Sequence, residues 1–68
     1  MRMVIIRPGD DFGWVAECPS LPGCVSQGAT KAEAIANIKE AIEGWIEATI
    51  AQGRTVPAED YETQVVCV

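Results

Sequence analysis

Hydrophobic positions come in short bursts over the first half of the chain and in one long helical rhythm over the second. Arg2-Met3-Val4-Ile5-Ile6-Arg7 is a β-branched run closed by Pro8-Gly9-Asp10-Asp11. It predicts a strand and a turn, because proline presets one turn dihedral and glycine supplies the positive one. Apolar residues on both of its faces predict an interior strand with something packed on each side. Phe12 to Cys18 predicts a second strand, with Phe12, Trp14, Ala16 and Cys18 on one face and Gly13, Val15 and Glu17 on the other. The short connection favours an antiparallel hairpin. Pro19-Ser20-Leu21-Pro22-Gly23 then breaks the alternation and reads as a stiff loop. Cys24-Val25-Ser26-Gln27 is a third, short strand ended by Gly28.

Thr30 stands three residues before Glu33, the spacing of a capping box, in which side chains satisfy amide donors that a helix start leaves free. From Lys31 to about Gln52 the chain is rich in Ala, Ile, Glu and Lys, and all but isoleucine are strong helix formers. At 100° per residue Ile35, Ile38, Ile42, Trp45, Ile46 and Thr49 share one stripe, flanked by Ala34, Ala41 and Ala48. Gly53 falls where a left-handed cap belongs, with Pro57 beyond it. Such a helix would run roughly 30 Å against about 20 Å for an ordinary strand, so its far end should overhang the sheet or meet a second copy.

Thr63-Gln64-Val65-Val66-Cys67-Val68 predicts a fourth strand. The order β-β-β-α-β lets this strand run parallel to a neighbour. The expected fold is therefore an α+β two-layer sandwich: a mixed four-stranded sheet with one long helix on one face. Residues 1–68 suffice for a single domain. The last strand carries no proline guard, and chains this small often gain stability by associating, so a homodimer is expected.

Composition narrows what such a domain does. With 49% hydrophobic and 22% charged residues the chain is neither a disordered tail nor a membrane span. Residues 1–32 balance three basic against three acidic side chains, whereas residues 33–68 hold two basic against seven acidic, so the whole net charge of −5 lies in the second half. An acidic domain is a poor ligand for nucleic acid by itself. There is no histidine, which removes the commonest general base and metal ligand. No secretory signal is read at the start and the three cysteines form no framework spacing, so a cytoplasmic location is expected. A binding module rather than an enzyme, without metal or cofactor, is the resulting expectation.

The candidate chemistry is sparse. Cys18, Cys24 and Cys67 read as small buried hydrophobes, with a Cys18–Cys24 disulfide as the other possibility. Asp10, Asp11 and Glu17 could be imagined as a metal site, but turn aspartates have a local hydrogen-bonding reason to be there. Glu33, Glu40, Glu43 and Glu47 fall within about 80° of one another on the helix, and like-charge neighbours at this spacing are mildly unfavourable. They form either a solvated face or a surface kept for a basic partner. Trp45 is expected in the core; the exposure of Trp14 turns on which sheet face the helix covers.

The run from Trp14 to Pro57 resembles the HicB antitoxin family: a strand entering Pro19-Ser20-Leu21-Pro22-Gly23-Cys24, a Gly28-Ala29-Thr30 helix start, Glu33-Ala34 and Glu40-Ala41 in the helix, and a Gly53-to-Pro57 exit. The resemblance implies a partial RNase H-like fold and an antitoxin that binds a HicA-type toxin, a small basic protein that cleaves mRNA, covering its catalytic histidine and RNA surface. Trp14, Glu17, Ser20 and Leu21, and the helix residues Glu40, Glu43 and Glu47, are the residues expected to touch that partner. Many members add a DNA-binding segment after this domain; the chain ends at Val68, so operator binding is not expected. The alternative function is a stand-alone oligomeric module that binds another protein or a small ligand.

Overall fold

A computed structural model describes residues 2–59. Three short strands, β1 (Ile5–Pro8), β2 (Trp14–Glu17) and β3 (Val25–Gly28), precede a 21-residue helix, α1 (Lys31–Ala51). The strands form an antiparallel sheet in the order β1-β2-β3, with Ala16 level with Ile6 on one side and Ser26 on the other. This confirms the α+β class. The fourth strand expected over Thr63–Val68 lies outside the described residues.

Strand ends differ from the expectation because pairing, not local pattern, sets them. β1 runs on into Pro8, which sits opposite Trp14, and β2 starts only at Trp14. Phe12 therefore belongs to the hairpin turn, 84% exposed, and not to the strand face of Trp14. β3 begins one residue later than Cys24 and includes Gly28.

One sheet face is covered by α1. Ala16 and Cys18 are buried beneath it with Ala34 and Ile38, while Val4, Ile6 and Trp14 pack around them. The helix lies mainly over β3 and β2 and barely reaches β1. Gly28 makes this possible: a Cβ there would sit 2.5 Å from the Ala34 nitrogen and 2.8 Å from the Glu33 carbonyl carbon. The sheet and the first helical turn touch backbone to backbone.

Both helix ends are closed as the sequence indicated. Thr30 Oγ1 accepts from the Glu33 amide at 3.1 Å, and Glu33 Oε1 accepts from the Ala29 amide at 3.3 Å. At the far end Gly53 adopts φ 73°, which lets its own amide reach Ile50 O and the Arg54 amide reach Thr49 O at 3.0 Å. Ile35, placed on the apolar stripe by periodicity, is instead exposed.

The C-terminal half of α1 does overhang the strands, and the proline-rich loop fills the space beneath it. Two successive turns, Leu21 N to Cys18 O and Cys24 N to Leu21 O, fold residues 18–24 inward. Leu21 enters the core at 1% exposure, and Trp45 Nε1 donates to Pro22 O at 3.1 Å. Arg2 clasps the arrangement, donating to Ser20 Oγ at 2.9 Å and to Pro57 O at 2.6 Å. The segment before β1, the loop and the segment after the helix are thereby joined through one guanidinium.

Candidate partner-binding surfaces

The residues proposed from sequence do not form one patch. Because α1 turns Ala34, Ile38 and Thr49 to the sheet, Glu33, Glu40, Glu43 and Glu47 project from the opposite side, all exposed. Glu17 lies on the sheet face turned away from α1, and so away from those glutamates. Its pairing with Ile5 and Val25 defines that face, which also holds Arg7, Val15 and Gln27. Trp14 is half-buried on the helix side, with Lys31 Nζ 4.7 Å from its ring centroid. This cation–π contact joins the start of the helix to the sheet and was not legible in the sequence.

Ser20 and Leu21 were expected on a stiff loop facing a partner; both point inward and are buried. Leu21 supplies the apolar mass that the strands do not extend far enough to provide. The Ser20 hydroxyl is occupied by Arg2 and lies 3.5 Å from Cys18 Sγ. Within this fold neither reaches the surface.

Two open clefts flank the helix. One, about 580 Å³, is lined by the hairpin turn with Asp10 and Asp11, and by Trp14, Gly28 and Glu33. The other, about 480 Å³, lies between Pro22, Trp45, Thr49, Arg54 and Pro57. Glu17 is at the end of β2 away from the hairpin turn, so Asp10, Asp11 and Glu17 are not assembled. Among the described residues no group of three or more potential metal ligands occurs.

Cys18 and Cys24 are buried free thiols. Their strands continue the β2–β3 register, with Cys18 N donating to Cys24 O at 3.0 Å. Burial, and then the neighbouring Cys18, push the Cys24 thiol above its usual range. A neutral thiol is a weak nucleophile. At pH 8 the expected result is that iodoacetamide leaves Cys18 and Cys24 unmodified in the folded chain and alkylates both in denaturant, read by peptide mass spectrometry. Rapid labelling in the native state would contradict their placement.

The fold and its surfaces define a class: a small sheet-and-helix module with a carboxylate-lined helix face on one side and, on the other, a sheet face that no element among the described residues covers. The family model described as HicB-like antitoxin of bacterial toxin–antitoxin systems matches residues 3–66, and the chain belongs to that family. It is 53% identical over 57 residues to a UPF0150 protein of Synechocystis sp., covering 84% of this chain and 72% of that one. It is 44% identical over 59 residues to a UPF0150 protein of Thermoplasma acidophilum, covering 87% and 86%. A 14.9 kDa protein from the rep-hol intergenic region of Haemophilus phage HP1 is 41% identical over 56 residues, which span 42% of its length. Among the described residues no helix is long and apolar enough to cross a membrane.

Proposed function

We propose that the chain is the antitoxin of a toxin–antitoxin pair and neutralises a small, basic HicA-type ribonuclease by binding it. The match to the HicB-like antitoxin family over residues 3–66 carries this reading. The protein acts in the cytoplasm by occlusion, without catalysis or cofactor. Residues 1–68 serve as one domain of a partial RNase H-like fold.

The surface arrangement supports a site for the toxin on α1. Glu40, Glu43 and Glu47 project together from one face, and complementary charge speeds and orients encounter with a basic partner. Trp14 and Lys31 border the start of that helix. Ser20 and Leu21 act from beneath, holding the loop that supports Trp45.

Titrating the purified chain into a HicA-type toxin and following RNA cleavage tests the proposal. Cleavage is expected to fall to background once the chain is equimolar with toxin. Full cleavage in the presence of excess folded chain would overturn it, and leave an oligomeric binding module without a toxin partner as the better reading.

A further inference from the structure

We propose that Cys18 and Cys24 are a redox-active pair, which a low-molecular-weight disulfide such as oxidised glutathione converts into a bridge that staples the loop between β2 and β3. The two residues extend the β2–β3 ladder by one step: Glu17 pairs with Val25, and Cys18 N donates to Cys24 O at 3.0 Å. Residues level with each other on antiparallel strands direct their side chains to the same sheet face. Here that is the face beneath α1, where both cysteines are buried. A hydrogen-bonded antiparallel pair holds its Cα atoms about 5.5 Å apart, inside the range of roughly 4.4–6.8 Å that a disulfide spans. Its Cβ atoms lie about 4.5–5.5 Å apart against about 3.8 Å in a bridge, so the strands must close by about 1 Å. The pair sits at the end of the ladder. The Cys24 amide already turns away to Leu21 O, and Cys18 O accepts from the Leu21 amide. Only the loop follows, so closure there strains no further strand pairing.

The surroundings bring the two thiols together. Ser20 Oγ, held by Arg2 at 2.9 Å, lies 3.5 Å from Cys18 Sγ, so that sulfur faces the loop which the two cysteines bracket. Burial raises the Cys24 thiol, and Cys18 raises it further, as a second thiol close by in the same interior does. In the reaction one cysteine thiolate attacks oxidised glutathione, releasing one glutathione thiol and leaving a mixed disulfide. The other cysteine thiolate then attacks the protein sulfur of that disulfide and expels the second glutathione. Two protein thiols become one S–S bond, and their two electrons and two protons end on two glutathione thiols. Neither step is fast while the loop is shut, so exchange proceeds during folding or as the loop opens. The bridge closes a ring over residues 18–24, the segment that receives Trp45 at Pro22 O and Arg2 at Ser20 Oγ.

Glutathione redox buffers test this on Cys67→Ser and Cys67→Ala chains, in which Cys18 and Cys24 are the cysteines left. Circular dichroism confirms that each keeps its helix. Each chain is equilibrated folded and, in parallel, in denaturant; thiols are then quenched with acid and alkylated in denaturant. The bridge is read by mass as an unalkylated peptide lighter by two hydrogens. The folded chain is expected to be half bridged at a ratio of oxidised to reduced glutathione at least about 10-fold lower than the chain in denaturant, because the fold holds the pair level. By linkage the bridged chain should melt at least about 5 °C higher than the reduced one, and dithiothreitol should reverse both changes. Adding Cys18→Ala should abolish the bridge and the redox dependence of melting. A midpoint no lower in the folded chain, a glutathione mixed disulfide as the end product, or a bridged chain that melts no higher would each overturn the proposal. None of these readouts involves a toxin, so the outcome is independent of the proposed function.

Discussion

Gly28→Ala is expected to lower the melting temperature sharply, while Gly44→Ala, the same chemical change sixteen residues later, should raise it. At position 28 the new methyl group would lie 2.5 Å from the Ala34 nitrogen and 2.9 Å from Glu33 Cβ. Neither neighbour can swing away, because one is helix backbone and the other is the root of the capping side chain. The helix start must therefore lift from β3, which puts at risk the Thr30 and Glu33 capping bonds and the packing of Ala34 beneath the sheet. Overpacking of this kind costs about 1–3 kcal/mol, and loss of a cap costs about another 1. A domain of this length holds roughly 3–10 kcal/mol in all. At about 4–8 °C per kcal/mol, the melting temperature should fall by at least about 10 °C. Gly44 has open space where its Cβ would go and sits mid-helix, so alanine there should add about 0.5–1 kcal/mol. Thermal melts followed at 222 nm check both; equal effects at the two positions would refute the backbone contact at Gly28.

That contrast marks where sequence reasoning reaches and where it stops. The helix ends are governed by side chains within four residues of one another, so Thr30, Glu33 and Gly53 announced them and the structure agrees. The outward direction of Glu40, Glu43 and Glu47 follows from helical period alone, and they are exposed as that period requires. Gly28 could be read as the end of a strand, but nothing local reveals that a helix backbone lies against it. The loop is the plainest case. Two prolines and a glycine made Pro19 to Gly23 look like a surface feature, which its backbone is. Leu21 is buried because α1 outruns the strands and leaves a space that the loop must fill. Arg2 has no sequence signal at all for its role, since its partners, Ser20 and Pro57, are 18 and 55 residues away. Local rules therefore recovered the helix and its charged face. They missed the interior contacts that join distant segments.

Reversing the helix charges should remove toxin binding without unfolding the protein. Glu40, Glu43 and Glu47 project from the side of α1 away from Ala34 and Ile38, and all three are exposed. Substituting all three by lysine changes the charge of that face by six and makes it repel a basic partner. It also adds no buried group, and lysine is as good a helix former as glutamate. The helix signal and the melting temperature should stay close to those of the parent chain. Affinity for the toxin should fall by about 100-fold or more at low salt, because like charges set opposite one another at an interface cost several kcal/mol. The loss should appear first in the association rate and should shrink as salt is raised, since screening acts within about 10 Å at 0.1 M. Surface plasmon resonance at two salt concentrations measures both features. Lysines added on the opposite side, at Val25 for example, should leave toxin binding nearly unchanged. If the triple reversal bound toxin as tightly as the parent, the helix face would not be the docking site. Retained binding in the triple variant, with loss on substitution at Glu17, would move the site to the sheet.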